Sequence, residues 1–193
     1  SWLTEDTLGR FGWKAQIPTL QDFVADALLN EIGVTIHPDL SDFTVVDDLD
    51  TCADPELPNT ELNDLYFYVQ ELAAPIRSSN GTVNDGIFVE TGCAKCHLPE
   101  IDGVPLYSDL LLHDMGGDLH QLVEQESNAL PTEFKTPPLW GISSTAPFWH
   151  DGSAETLREA IQSHAGEGQS SVDHFNQMTP EDQQQLIQFL ESL

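Results

Sequence analysis

The chain has 193 residues and carries 33 acidic side chains against six basic ones, a formal charge of −27. That balance argues against nucleic acid or an anionic membrane as partner, and fits either steering toward a basic protein or plain surface solvation. Hydrophobic content of 39% with 8% aromatics describes a folded chain, of a length suited to one domain with an extension, and no apolar run is long enough to span a bilayer.

The first notable stretch is Gly9-Arg10-Phe11-Gly12-Trp13-Lys14-Ala15, which holds two of the six basic residues. Arg10 and Lys14 are candidate donors to an anionic ligand or to the surface, and Trp13 a candidate core residue. Thr19 to Ile32 reads as a helix. Thr19 is the N-cap, Asp22 stands at the capping-box position, and Gly33 supplies the stop. Its apolar positions Leu20, Phe23, Val24, Ala27, Leu28 and Ile32 share one face. Residues 34–59 carry prolines and many aspartates and read as a surface loop. Asp47, Asp48 and Asp50 lack the glycine and closing glutamate of a calcium loop. Thr60 caps a second helix that runs to about Ala73, with Leu62, Leu65, Tyr66, Val69 and Leu72 on a stripe and Pro75 ending it.

A short helix from Val83 to Thr91 then leads into Cys93-Ala94-Lys95-Cys96-His97. Cys-x-x-Cys-His is the signature of covalent c-type haem attachment. Two thiols on one turn can each form a thioether to a vinyl group of one porphyrin, and the following imidazole is then the axial ligand of the iron. A zinc site would need a second ligand pair, and a thioredoxin-like site a βαβ setting; neither pattern is present. One covalently attached haem c through Cys93 and Cys96, with His97 on iron, is therefore expected. The third cysteine, Cys52, is left over.

A second axial ligand favours electron transfer, whereas an open site favours ligand binding or peroxidase chemistry. The candidates are Met115, Met178, His113, His120, His150, His164 and His174. Met178 precedes the N-cap Thr179 and reads as a packing residue. Met115 ends an apolar run and is followed by Gly116 and Gly117, so the backbone there can approach a flat ligand closely. Met115 is the expected sixth ligand, with His113 its local rival. Ser153 to His164 reads as a further helix. Thr179-Pro180-Glu181-Asp182 opens the last one, whose face is Leu186, Ile187, Leu190 and Leu193.

These elements predict an all-α, cytochrome c-like helical domain with few or no strands. It forms a single mono-haem domain over residues 1–193, in which 80–193 are the cytochrome core and 1–79 an N-terminal extension packed on it. Covalent haem is installed outside the cytoplasm, so the expected location is periplasmic or secreted. The start at Ser1 suits a processed protein, a monomer, or a domain of a larger chain.

Several motifs together resemble one family. They are Gly9–Ala15, the haem motif with Leu98-Pro99, Tyr107–Gly116, Phe134–Gly141, and His150-Asp151-Gly152 with the Thr156–Ile161 helix. The sequence is similar to the C-terminal, electron-transfer half of the bacterial di-haem oxidoreductases, also called thiol oxidoreductase-like, which are relatives of the di-haem cytochrome c peroxidases. The resemblance implies an electron-transfer haem here and a peroxide-reactive haem on an N-terminal domain that this sequence does not contain. Where classical relatives place a methionine ligand, just before the Phe-Lys-x-Pro segment, this chain has Glu133, which favours Met115. Relatives often carry a cysteine pair where Cys52 stands.

Two functions follow as expectations. The first is a mono-haem electron-transfer module with His97 and Met115 on iron, serving a redox partner protein such as an extracellular oxidoreductase and not a catalyst by itself. The alternative is a peroxidase or thiol oxidoreductase-like enzyme that needs an open haem or a missing second haem domain, with His113 or Glu133 as acid-base group.

Overall fold

The computed structural model describes residues 7–45, 50–77, 85–116 and 129–193. Among these, the chain clusters into two compact units, one reaching to Ala73 and one beginning at Ala74.

In the first unit, α1 (Leu20–Ile32) is capped as its sequence predicts. Thr19 Oγ1 accepts the Asp22 N–H at 3.1 Å, and Gly33 closes the helix with φ 68°. Helix α2 (Asn59–Gln70) begins two residues earlier than a Thr60 cap would place it, with Pro58 at the N-cap and no side-chain cap. Val24, Ala25, Ile36 and Leu62 form the core, with Leu28, Leu65, Tyr66 and Val69 packed around it. Ile32 and Leu72, expected on the buried faces, are instead 67% and 57% exposed. The segment after α1 is not purely surface loop, because Thr35 and Ile36 are buried. Thr35 sits inside because its polar atoms are met: its N–H donates to the Glu56 carboxylate at 3.0 Å, and its hydroxyl accepts the Glu56 N–H and donates to Asp54. Trp13 was expected in the core but is 48% exposed, while Lys14 beside it is buried. The chain turns tightly here, with Gly12 at φ 81° and the Lys14 N–H on the Gln16 carboxamide, and the turn points the indole outward.

The second unit holds four helices and one small sheet. They are α3 (Gly86–Thr91), the strands β1 (Leu112–Asp114) and β2 (Glu133–Lys135), α4 (Leu157–Gln162), α5 (Gln169–Gln177) and α6 (Pro180–Glu191). The strands pair antiparallel with His113 opposite Phe134. Helix α6 starts where its sequence signals place it, with Thr179 accepting the Asp182 N–H and proline in the first turn. Helix α4 is shorter than expected. It starts after Thr156, which forms a reciprocal capping box with Glu159.

The core is built by α3, α4, α5 and α6. Phe88 of α3 meets Phe189 of α6 at 5.1 Å between ring centroids, and Tyr107 meets both rings near 5.8 Å. Phe175, Leu186, Ile187 and Leu190 complete the cluster, against which Cys93 and Ala94 rest. The aromatic trio thus fixes the turn that bears the haem motif.

Since Phe189 is fully buried at the centre of this cluster, Phe189→Ala should cost about 3–5 kcal/mol of unfolding free energy. Thr179→Ala, which removes only a cap, should cost about 1 kcal/mol. Urea denaturation of the two variants measures both, and equal losses would contradict the placement of Phe189.

Candidate haem site

Helix α3 ends at Gly92, whose φ of 93° lets the chain reverse out of the helix. A single 3-10 turn follows over Cys93–Lys95. The His97 N–H returns to the Cys93 carbonyl at 3.0 Å, so both cysteines and the histidine lie on one continuous turn. The buried Thr91 hydroxyl donates to the Ile87 carbonyl at 2.6 Å and secures the helix end beneath it.

Cys93 and Cys96 are both free thiols. Burial pushes the Cys93 thiol up to about 11. Cys96 is also raised, first by burial and then by the nearby Asp109 and Glu167 carboxylates. Both are therefore protonated at neutral pH, the reverse of a thiol-exchange pair, which needs a stabilised thiolate.

His97 Nδ1 lies 2.9 Å from the Tyr107 carbonyl oxygen. Facing an acceptor, Nδ1 carries the proton and leaves the Nε2 lone pair for a metal. Burial pushes His97 down to about 4, against the smaller upward pull of the Tyr107 carbonyl, so the imidazole is neutral. The donor set fits a haem: a neutral, backbone-anchored imidazole directly after two protonated thiols on the same turn. One further observation agrees. Trp149 Nε1 is buried without a hydrogen-bond partner among the described residues, a donor left over for an acceptor that the protein itself does not provide.

Tyr107 itself is held in the left-handed region, φ 54°. Such backbone costs a bulky residue about 1–3 kcal/mol and persists where the surroundings enforce it. Here the ring is buried between Phe88 and Phe189, and Arg77 donates to its hydroxyl at 3.2 Å. The next residues are stitched down as well. The Asp109 N–H reaches the Cys96 carbonyl at 2.8 Å, and the Ser108 hydroxyl reaches the Thr136 carbonyl at 2.7 Å.

The structure separates the sixth-ligand candidates. His120 lies outside the described residues. His174 is exposed on α5, His150 stacks on Phe134 at 4.6 Å, and Met178 packs against the core cluster. His113 is engaged at both ring nitrogens, by Asp109 at 2.8 Å and Glu167 at 2.9 Å. Burial alone would lower its pKa, yet its hydrogen bonds to Glu167 and Asp109 outweigh that and raise it. Both of its ring nitrogens are thus already committed within the protein. Glu133, the other acid-base candidate, accepts the Leu130 N–H at 2.7 Å and closes its own turn.

Met115 and His164 are neighbours. A Cβ placed on Gly168 would lie 3.4 Å from His164 Cδ2 and 3.5 Å from Met115 Cε. His164 lies near enough for its charge, when that ring is protonated, to be among the lesser influences that lower His97, so these two rings share one locality. Two glycines bring the segments together. A Cβ on Gly166 would lie 2.2 Å from the Asp114 carbonyl oxygen, so only glycine lets the 166–168 turn reach β1. Glu167 then accepts the Asp114 N–H and holds His113. Sequence reasoning missed Glu167 and Asp109 as partners of His113. The Gly166-x-Gly168 spacing was the only local sign of so close an approach.

A neutral anchored histidine behind paired thiols is the donor set of a haem-binding redox protein. The chain belongs to the family described as "Di-haem oxidoreductase, putative peroxidase", which matches residues 4–193. Membership carries a haem-binding redox role with it. No curated protein sequence matches the chain. Among solved structures, the hydrazine synthase of Kuenenia stuttgartiensis pressurised with xenon is similar in fold, with a TM-score of 0.51 and 20% identity over 71% of this chain. The match spans 56% of that protein's chain, little more than half its length.

The Asp109–His113–Glu167 group predicts a defined pH response. His113, with its raised pKa, contributes fully below the ordinary histidine range, and this is lost as pH rises through its folded value. Asp109 and Glu167, with lowered pKa values, contribute fully above the ordinary carboxylate range, and this is lost as pH falls through theirs. Titration of the His113 ring by NMR should therefore give a midpoint above the ordinary histidine value, and Glu167→Gln should bring it down. A midpoint below that value would refute the paired arrangement.

Proposed function

We propose that this chain is a mono-haem, c-type electron-transfer domain with a cytochrome c-like helical core. Cys93 and Cys96 carry the haem through thioethers, and His97 Nε2 is its proximal ligand. The single Cys-x-x-Cys-His motif supports one haem. The observation that carries the reading is the meeting of Met115 and His164 beside Gly168, in the same locality as His97. Two side chains able to bind iron stand together there, which suits a six-coordinate metal with no vacant position for peroxide.

When bound, the haem supplies one-electron chemistry. This chain's residues do the remaining work. Tyr107 orients the proximal imidazole, the aromatic cluster excludes water behind it, and the Asp109–His113–Glu167 group fixes the loop that carries Met115. A covalently attached haem, which is installed outside the cytoplasm, supports a periplasmic or secreted location. The charge of −27 suits docking of a basic redox partner.

Co-expression with a c-type haem maturation system should yield one covalent haem per chain by the pyridine haemochrome assay. Cys93→Ala with Cys96→Ala should abolish covalent attachment, and His97→Ala should remove the low-spin spectrum. The protein should exchange electrons rapidly with small redox mediators and show no peroxide turnover above free haem. Sustained turnover with peroxide would favour the peroxidase alternative.

A further inference from the structure

His97 and His164 are anchored alike. His97 Nδ1 faces the Tyr107 carbonyl at 2.9 Å, and His164 Nδ1 faces the Ala160 carbonyl at 2.7 Å. In each ring the proton is thereby held on Nδ1, and Nε2 has no hydrogen-bond partner among the described residues. A second hydrogen bond to backbone carbonyl is the usual companion of a metal-bound imidazole, because it fixes both tautomer and ring orientation. His164 is also neutral in this setting, as burial lowers its pKa.

The surroundings of His164 aim it further. It follows α4, whose last turn supplies the Ala160 carbonyl. The Trp149 ring lies 4.8 Å from it at an interplanar angle of 53°, restricting ring rotation. Gly168 leaves the space beside its Cδ2 edge open, where a Cβ would lie 3.4 Å away. Nε2 is the atom next to Cδ2. Met115 has none of this anchoring: only its backbone N–H is tied, to the Thr132 carbonyl at 2.8 Å, and its thioether end rests beside the imidazole.

Resting on the haem reading above, we propose that His164 is the second axial ligand, so that the iron is held by two histidines through Nε2 and Met115 packs beside His164 as a shield. An imidazole–thioether pair raises the potential, whereas two imidazoles stabilise oxidised iron and lower it. The domain then works as a low-potential centre, suited to a strongly reducing donor.

The test uses the haem-loaded protein and its spectra, independent of any turnover. Ferric protein should be low-spin and lack the near-infrared sulfur-to-iron charge-transfer band. Met115→Leu should keep the low-spin spectrum, whereas His164→Gly should become high-spin and return to low-spin on addition of imidazole. His164→Met should gain the sulfur-to-iron band with a rise in potential. A sulfur-to-iron band in the unaltered protein, lost in Met115→Leu, would overturn His164 and leave the haem reading standing. A high-spin unaltered protein would likewise overturn it. Protein recovered from the maturation system without covalent haem would overturn the haem reading and, with it, this assignment. If His164→Gly does not fold, the Met115→Leu spectrum and the near-infrared region decide between the ligands.

Discussion

The hydrogen bond from His97 to the Tyr107 carbonyl is the constraint on which the site depends. It joins the haem motif to a residue ten positions later and fixes which imidazole nitrogen is available. It also passes the rigidity of the helical core to the ligand. Tyr107 can present its carbonyl in this direction because its backbone is left-handed, and that backbone is tolerable because its ring is packed between Phe88 and Phe189. A cluster usually described as core is thus also the support for the imidazole of His97. Loss of packing at Phe189 would reach the site through Tyr107, without touching the motif itself.

The other side of the locality is organised by electrostatics. His113 neighbours Met115 in sequence and invites assignment as a ligand, yet it links Asp109 and Glu167 through its two ring nitrogens. Asp109 is itself tied to the Cys96 carbonyl, so the link runs from the motif, through the 109–115 segment, to the turn at 166–168. In a chain with 33 acidic and six basic side chains, two carboxylates here share one imidazole.

Local signals made part of this legible. Thr19 with Gly33 and Thr179 with Pro180 mark helix ends where they occur, since capping is decided by neighbours in sequence. The Cys93–His97 motif declares its chemistry by spacing. Helix α5 was not foreseen, because Val172 and Phe175 are the only apolar residues in its nine and make too short a stripe for a periodic signal. Helix α4 was placed too early, since Ser153 resembles a cap as much as Thr156 does. Trp13 and Lys14 exchanged their expected places because a tight turn, and not hydrophobicity, sets their directions. The partnership of His113 with Glu167 spans 54 residues and could come only from the folded chain.

Gly166 gives the site a property that its ligands alone would not confer. With no side chain between them, the 166–168 turn and the end of β1 meet backbone to backbone, and Glu167 bridges the same two segments. His164 and Met115 sit on the two segments so joined and must move together or stay. A centre whose surroundings keep one geometry in both oxidation states pays little reorganisation energy when an electron arrives. In the electron-transfer role proposed above, fast exchange would be prepared by a missing methyl group.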